Sequence, residues 1–173
     1  MGPLEVCHWL ESTRGSVALH ESIWVYPIVE SVHVLTLCLF LGMTVMIDLR
    51  LLGASFMATP VSQVYRRLAP WMVSGFAVMV VSGGLLFYAA PVKTYVNIFF
   101  RLKMIFLVMA GLNVIVFHFI TSRTMPRWDV VERPPLRVQL AGGVSLALWA
   151  AIAVCGRMIA YNWFDKVVGA LAR

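Results

Sequence analysis

Four apolar runs, separated by short polar stretches, set the pattern of this chain. They cover about residues 26–52, 71–89, 98–121 and 139–163. Each is long enough to cross ~30 Å of hydrocarbon at ~1.5 Å per residue. The first carries Glu30 and His33 well inside and Asp48 and Arg50 near its end. The second contains Ser82-Gly83-Gly84 in its latter half. The third contains Arg101, Lys103, Asn113 and His118, and the fourth, rich in Gly and Ala, contains Arg157. Residues 1–23 follow another pattern, with Leu4, Val6, Trp9, Leu10, Val17 and Leu19 interleaved with Glu5, Glu11, Arg14 and Glu21. That alternation suits a segment lying at a membrane surface. The pattern predicts an all-α integral membrane four-helix bundle. Residues 1–23 form an amphipathic interfacial segment and 24–173 a single four-transmembrane-helix domain, with loops at 54–69 and 122–138.

Composition agrees: 61% of the 173 residues are hydrophobic and only 13% charged, the signature of a polytopic membrane protein. The net charge of +6 would suggest nucleic acid in a soluble domain. Here most of the cations fall in loops between the apolar runs, so no nucleic-acid partner is expected. Arg66, Arg67, Arg123, Arg127, Arg133 and Arg137 lie on one side, against Arg14, Lys93, Lys166 and Arg173 on the other. The positive-inside rule then places both termini in the periplasm and the chain in a bacterial inner membrane, in contact with lipid. No basic region followed by an apolar one opens the chain, so no cleavable signal is expected. Cys7, Cys38 and Cys155 form no C-x-x-C or C-x-x-C-H, which excludes c-type haem attachment and a CxxC zinc site. Cys38 and Cys155 read as buried small hydrophobes, and the methionines as packing rather than copper ligands.

Charged groups inside a membrane helix are costly and usually face the bundle or a cofactor. On the first helix Tyr26, Glu30, His33, Leu37, Phe40, Thr44 and Asp48 share one stripe at ~100° per residue. Lys103, Leu107, Ala110, Val114 and His118 share one on the third, and Leu146, Ala150, Ala153, Arg157 and Tyr161 one on the fourth. Depth says more. His33 lies ~10 Å inside its entry by helix rise, and Lys103, Arg157 and the Gly83-Gly84 notch reach nearly the same level. Glu30, His33, Lys103, Arg157, Gly83 and Gly84 therefore converge on one layer in the outer third. His118 lies ~20 Å below that layer, so it does not pair with His33 across one iron.

A neutral imidazole is the usual axial ligand of b-type haem, and propionates seek cations such as Lys103 and Arg157. The expectation is haem b bound through His33, with the glycine pair giving the macrocycle room and Glu30 orienting a ligand or relaying a proton. The other axial position is empty, taken by water, or filled by His20 from the surface segment. His118 is a ligand of a second haem or an unrelated interfacial residue. Blander readings stand beside these: Glu30 and His33 as a bonded pair, Lys103 and Arg157 snorkelling, and the glycines as close helix contacts.

The pattern Trp24-x-Tyr26-Pro27-x-x-Glu30-x-x-His33, with Gly42 and Asp48-Leu49-Arg50-Leu51-Leu52-Gly53, resembles an uncharacterised family of small four-helix bacterial membrane proteins. Phe100-x-x-Lys103, Asn113, Phe117 and Gly156-Arg157 fit the same resemblance. More distantly, the helix-one His and helix-three Lys are similar to those of HemJ-type protoporphyrinogen oxidases and CopD-like membrane proteins. The HemJ likeness implies that His33 ligates haem b and that Lys103 is functionally required. The expected function is electron transfer as a small membrane cytochrome, between a quinone or membrane dehydrogenase and a partner on the outer face. A homo-oligomer or a partner redox subunit is expected with it. Whether the protein is carrier or enzyme stays open. The alternatives are a HemJ-like tetrapyrrole redox enzyme, a cofactor-free subunit or assembly factor and, more weakly, copper handling.

Overall fold

The computed structural model describes residues 2–121, 128–129 and 133–161, and places seven α-helices among them. Two short helices, α1 (Pro3–Glu11) and α2 (Arg14–His20), precede α3 (Val25–Leu51) and α4 (Val61–Ala89). A one-and-a-half-turn α5 (Pro91–Val96) leads into α6 (Ile98–Val116), which continues through a π-type turn over Phe117–Thr121; α7 is Leu136–Ala160. No strand occurs among the described residues. Arg123, Arg127, Lys166, Arg173 and the expected end of the fourth helix at Trp163 lie outside them.

Helices α3, α4, α6 and α7 are long and apolar enough to cross a membrane. α4 packs on α3, α3 on α7, and α7 on α6. Their shared core is Phe40, Met79, Ala110, Leu148, Trp149 and Ile152, with the Phe40 and Trp149 rings edge to face at 4.7 Å. At the end carrying α1 and α2, Phe87 of α4 stacks on Phe100 of α6 at 5.5 Å. α4 begins ten residues before the apolar run at Trp71. The added turns are amphipathic: Val61, Val64 and Leu68 pack with Ile47, Leu51, Trp128 and Val138, while Gln63, Arg66 and Arg67 face out. Hydropathy alone reads such a stretch as loop.

Local chemistry sets the helix ends. α3 stops at Gly53, whose φ of 68° is open to glycine. Gly53 N–H donates to Arg50 O and Ala54 N–H to Leu49 O, the paired bonds of a Schellman ending. Asn97 caps α6 by accepting from Phe99 N–H at 2.9 Å. α1 and α2 form a cap latched to the end of α4. Ser16 Oγ donates to the Tyr88 carbonyl at 2.7 Å, and Thr13 Oγ1 and Tyr88 OH bond at 2.7 Å. Gly15 lets the phenol approach, since a Cβ there would sit 2.7 Å from Tyr88 OH. Trp9, Val17, Ile23 and Trp24 remain exposed on this cap, apolar surface of the kind a membrane interface covers.

Two expectations are corrected here. Cys38 is exposed rather than buried, while Cys155 is buried; Cys38 points away from the Leu37–Phe40 face that meets the core. The inward face of α7 is Gly142, Ser145, Leu148, Trp149, Ile152 and Cys155, not the Leu146–Ala150–Ala153–Arg157 stripe. Small side chains on several faces of that helix leave its rotation undetermined by sequence.

Candidate functional site

His33 projects from α3 against α4, where Ser82 and Gly83 meet it. Its Nδ1 lies 2.8 Å from Ser82 Oγ, and Ser82 Oγ donates to the Val78 carbonyl at 2.7 Å. A hydroxyl has one proton. With that proton given to Val78, Ser82 accepts from His33, so Nδ1 carries the hydrogen. The Met79 carbonyl also faces the imidazole, another acceptor and no competing donor. The lone pair is thereby left on Nε2. Gly83 explains the fit: a Cβ there would lie 3.2 Å from His33 Cε1, so the notch houses the imidazole itself.

Lys103 of α6 is half-buried and close enough for its charge to act on His33 and on the Cys155 thiol. A Cβ added at Gly156 would lie 3.7 Å from Lys103 Nζ. His33, Ser82, Gly83, Lys103, Cys155 and Gly156 thus form one polar cluster from four helices, at the end covered by α1 and α2.

The remaining expected residues fall outside it. Arg157 is exposed; its Nη2 donates to Tyr161 OH at 3.1 Å and its guanidinium lies over that ring at 5.1 Å. One position along α7 turns Arg157 aside and brings Gly156 to Lys103. Gly84 has open space where a Cβ would be. Glu30 is exposed and interacts electrostatically with Tyr26, one turn earlier. His20 is exposed, with its ring edge-on to Tyr26 at 6.4 Å, two turns from His33. His118 is exposed in the π-type turn and meets Phe119 edge-on at 5.4 Å, toward the far end of the bundle.

Sequence reasoning passed over Ser82 as a partner of His33, although its level and its neighbour Gly83 both signalled it. It also passed over a second polar cluster at the opposite end. Arg50 is 0% exposed; its Nε donates to Thr59 O at 2.8 Å and its Nη2 to Asp129 O at 3.3 Å. The Asp129 carboxylate accepts from Ser62 N–H at 2.7 Å and from Ser62 Oγ. Arg50 therefore ties the α3–α4 loop to the segment preceding α7.

The family model for DUF6644 matches residues 17–162. The chain belongs to DUF6644, a family of unknown function. The matched DUF6644 region runs from α2 through α7 and contains every residue of both clusters. No curated protein and no solved structure matches the chain, so the more distant likeness to HemJ-type and CopD-like proteins rests on the sequence motifs alone. No group of three or more His, Cys, Asp or Glu that could hold a metal ion occurs among the described residues. A metal at His33 would thus draw at most two ligands from that set among the described residues.

Proposed function

We propose that this DUF6644 protein is a haem b-binding membrane protein with His33 as its axial ligand, acting in electron transfer. The observation that supports it most is the orientation of the imidazole. Metal-ligating histidines donate their other ring N–H to an oxygen that fixes tautomer and ring plane, and Ser82 does this for His33. Lys103 supplies a cation for a propionate; Arg157, committed to Tyr161, does not share that role. Bound there, haem would supply one-electron redox chemistry. The chain's own part is to hold the ligand nitrogen bare, place one positive charge beside it, and roof the site with α1 and α2.

In this reading the arginine-rich end faces the cytoplasm and both termini lie outside. Electrons pass between a quinone or membrane dehydrogenase and an outer partner or second copy of the chain. The deciding measurement is an absorption spectrum of the purified protein, oxidised and dithionite-reduced. A Soret band that disappears in His33→Ala supports the proposal; a colourless, folded protein, or full haem occupancy in His33→Ala, overturns it. The His33–Ser82 bond also satisfies half the imidazole without any cofactor, which favours the cofactor-free subunit as the second reading. A colourless protein destabilised by Ser82→Ala is its expected result.

A further inference from the structure

Asp48 lies on the inward stripe of α3, three residues before the helix ends at Leu51. It is roughly 22 Å along the helix from His33 by rise per residue. It is 4% exposed. The Ser145 side chain of α7 lies close enough to act on the carboxyl, and Oδ2, fully buried, has no hydrogen-bond partner. The site is closely walled. A Cβ at Gly142 would come within 3.0 Å of both the Asp48 carbonyl and Leu51 Cβ. One turn along α3, Thr44 is also 4% exposed and gives its hydroxyl proton to the Phe40 carbonyl at 2.9 Å. The Thr44 lone pairs are therefore turned outward as acceptors.

Arg50, two residues on from Asp48, directs Nε and Nη2 to Thr59 and Asp129 carbonyls. Arg137 and Arg157 of α7 and Arg66 and Arg67 of α4 are exposed. Asn113 of α6 spends its amide on the Ala141 carbonyl at 3.0 Å. An ionised carboxylate accepts only and would leave a charged oxygen with no donor in a water-poor layer, which is expensive. A neutral carboxyl has an O–H to give, and Thr44 Oγ1 is an acceptor one turn away. One anionic side chain with a hydroxyl beside it and another one turn away offers too few oxygens for a hard divalent cation.

We propose that Asp48 is a proton-binding site, its carboxyl carrying an exchangeable proton between α3 and α7 in the folded protein. Loading transfers a proton from hydronium at the Arg50 end to Oδ2 and leaves water; unloading reverses it. Phe40, Trp149 and Ile152 of the packed core lie between Asp48 and His33 along the helices, so the proposed exchange is with the Arg50 end. The proposal is independent of the haem reading, because its signal does not need a coloured protein.

The test is infrared spectroscopy of the full chain in lipid nanodiscs, with and without 13C-carboxyl aspartate. The expected result is a protonated-carboxyl band near neutral pH that moves with the label. It shifts in Ser145→Ala and Thr44→Val, which remove the hydroxyls beside it and one turn away, and is absent from Asp48→Asn. No label-sensitive protonated band at neutral pH, or the same band surviving in a folded Asp48→Asn, overturns the proposal. Should Asp48→Asn fail to fold, the Ser145→Ala and Thr44→Val spectra decide: an unmoved band in both overturns it. Stabilisation of the parent protein by sodium, with no protonated band, also overturns it in favour of a cation site.

Discussion

A serine hydroxyl has one proton, and at Ser82 it goes to the Val78 carbonyl. That single commitment sets the tautomer of His33 and makes Ser82 a positioning residue for the proposed ligand. Ser82→Ala is expected to keep haem but lower its affinity ~10-fold, the low end of outer-shell losses at metal sites; a haem titration of both proteins reads this. Gly83→Ala is expected to disturb the same site by steric means. A Cβ 3.2 Å from His33 Cε1 pushes the ring off Ser82, changing the reduced spectrum while leaving helicity intact. His33, Lys103 and Gly83 were legible beforehand because depth follows from residue count at a fixed rise per residue. Arg157 and Glu30 share that level but not the site. Level along a helix is linear in sequence, whereas direction turns ~100° with each residue.

Among the elements, α3 and α7 come into close contact where Gly142 faces Asp48 and Leu51. Backbone on one side cannot yield as a flexible side chain would. Gly142→Leu is expected to cost about 1–3 kcal/mol, the range for overpacking a filled contact, measured by unfolding in mixed micelles. Gly143→Ala, with only Leu52 Cδ2 at 3.7 Å, should be nearly neutral. The Arg50 latch works at this scale too. Arg50→Met removes a buried guanidinium bonded to Thr59 and Asp129 carbonyls, at a cost of roughly 1.5–3 kcal/mol per charge-assisted bond lost. Faster proteolysis between α3 and α4 is the expected readout. The block around Arg50 was visible as a motif, and Arg50 itself as a loop-edge charge. Its partner Asp129 lies far along the chain, so only folding reveals the pairing.

For the whole molecule, the α1–α2 cap is latched to the end of α4 through Tyr88. Tyr88→Phe with Ser16→Ala removes both of its hydroxyl bonds to α4. Amide exchange in α1 and α2 is then expected to rise about tenfold or more, on the order of 1 kcal/mol per bond lost, while α3 and α7 keep their protection. By itself the sequence determined that four helices are long and apolar enough to cross a membrane and which polar groups share a level, because hydrophobic length and helix rise are local properties of the chain. Tertiary structure decided which faces meet: Gly156 rather than Arg157 at Lys103, Ser82 at His33, Cys38 outward, and Arg50 closing the far end. In a bilayer the lipid-facing and core-facing sides of a helix are both apolar, so rotation about each axis is set by close packing and hydrogen bonds, which no hydrophobic pattern encodes.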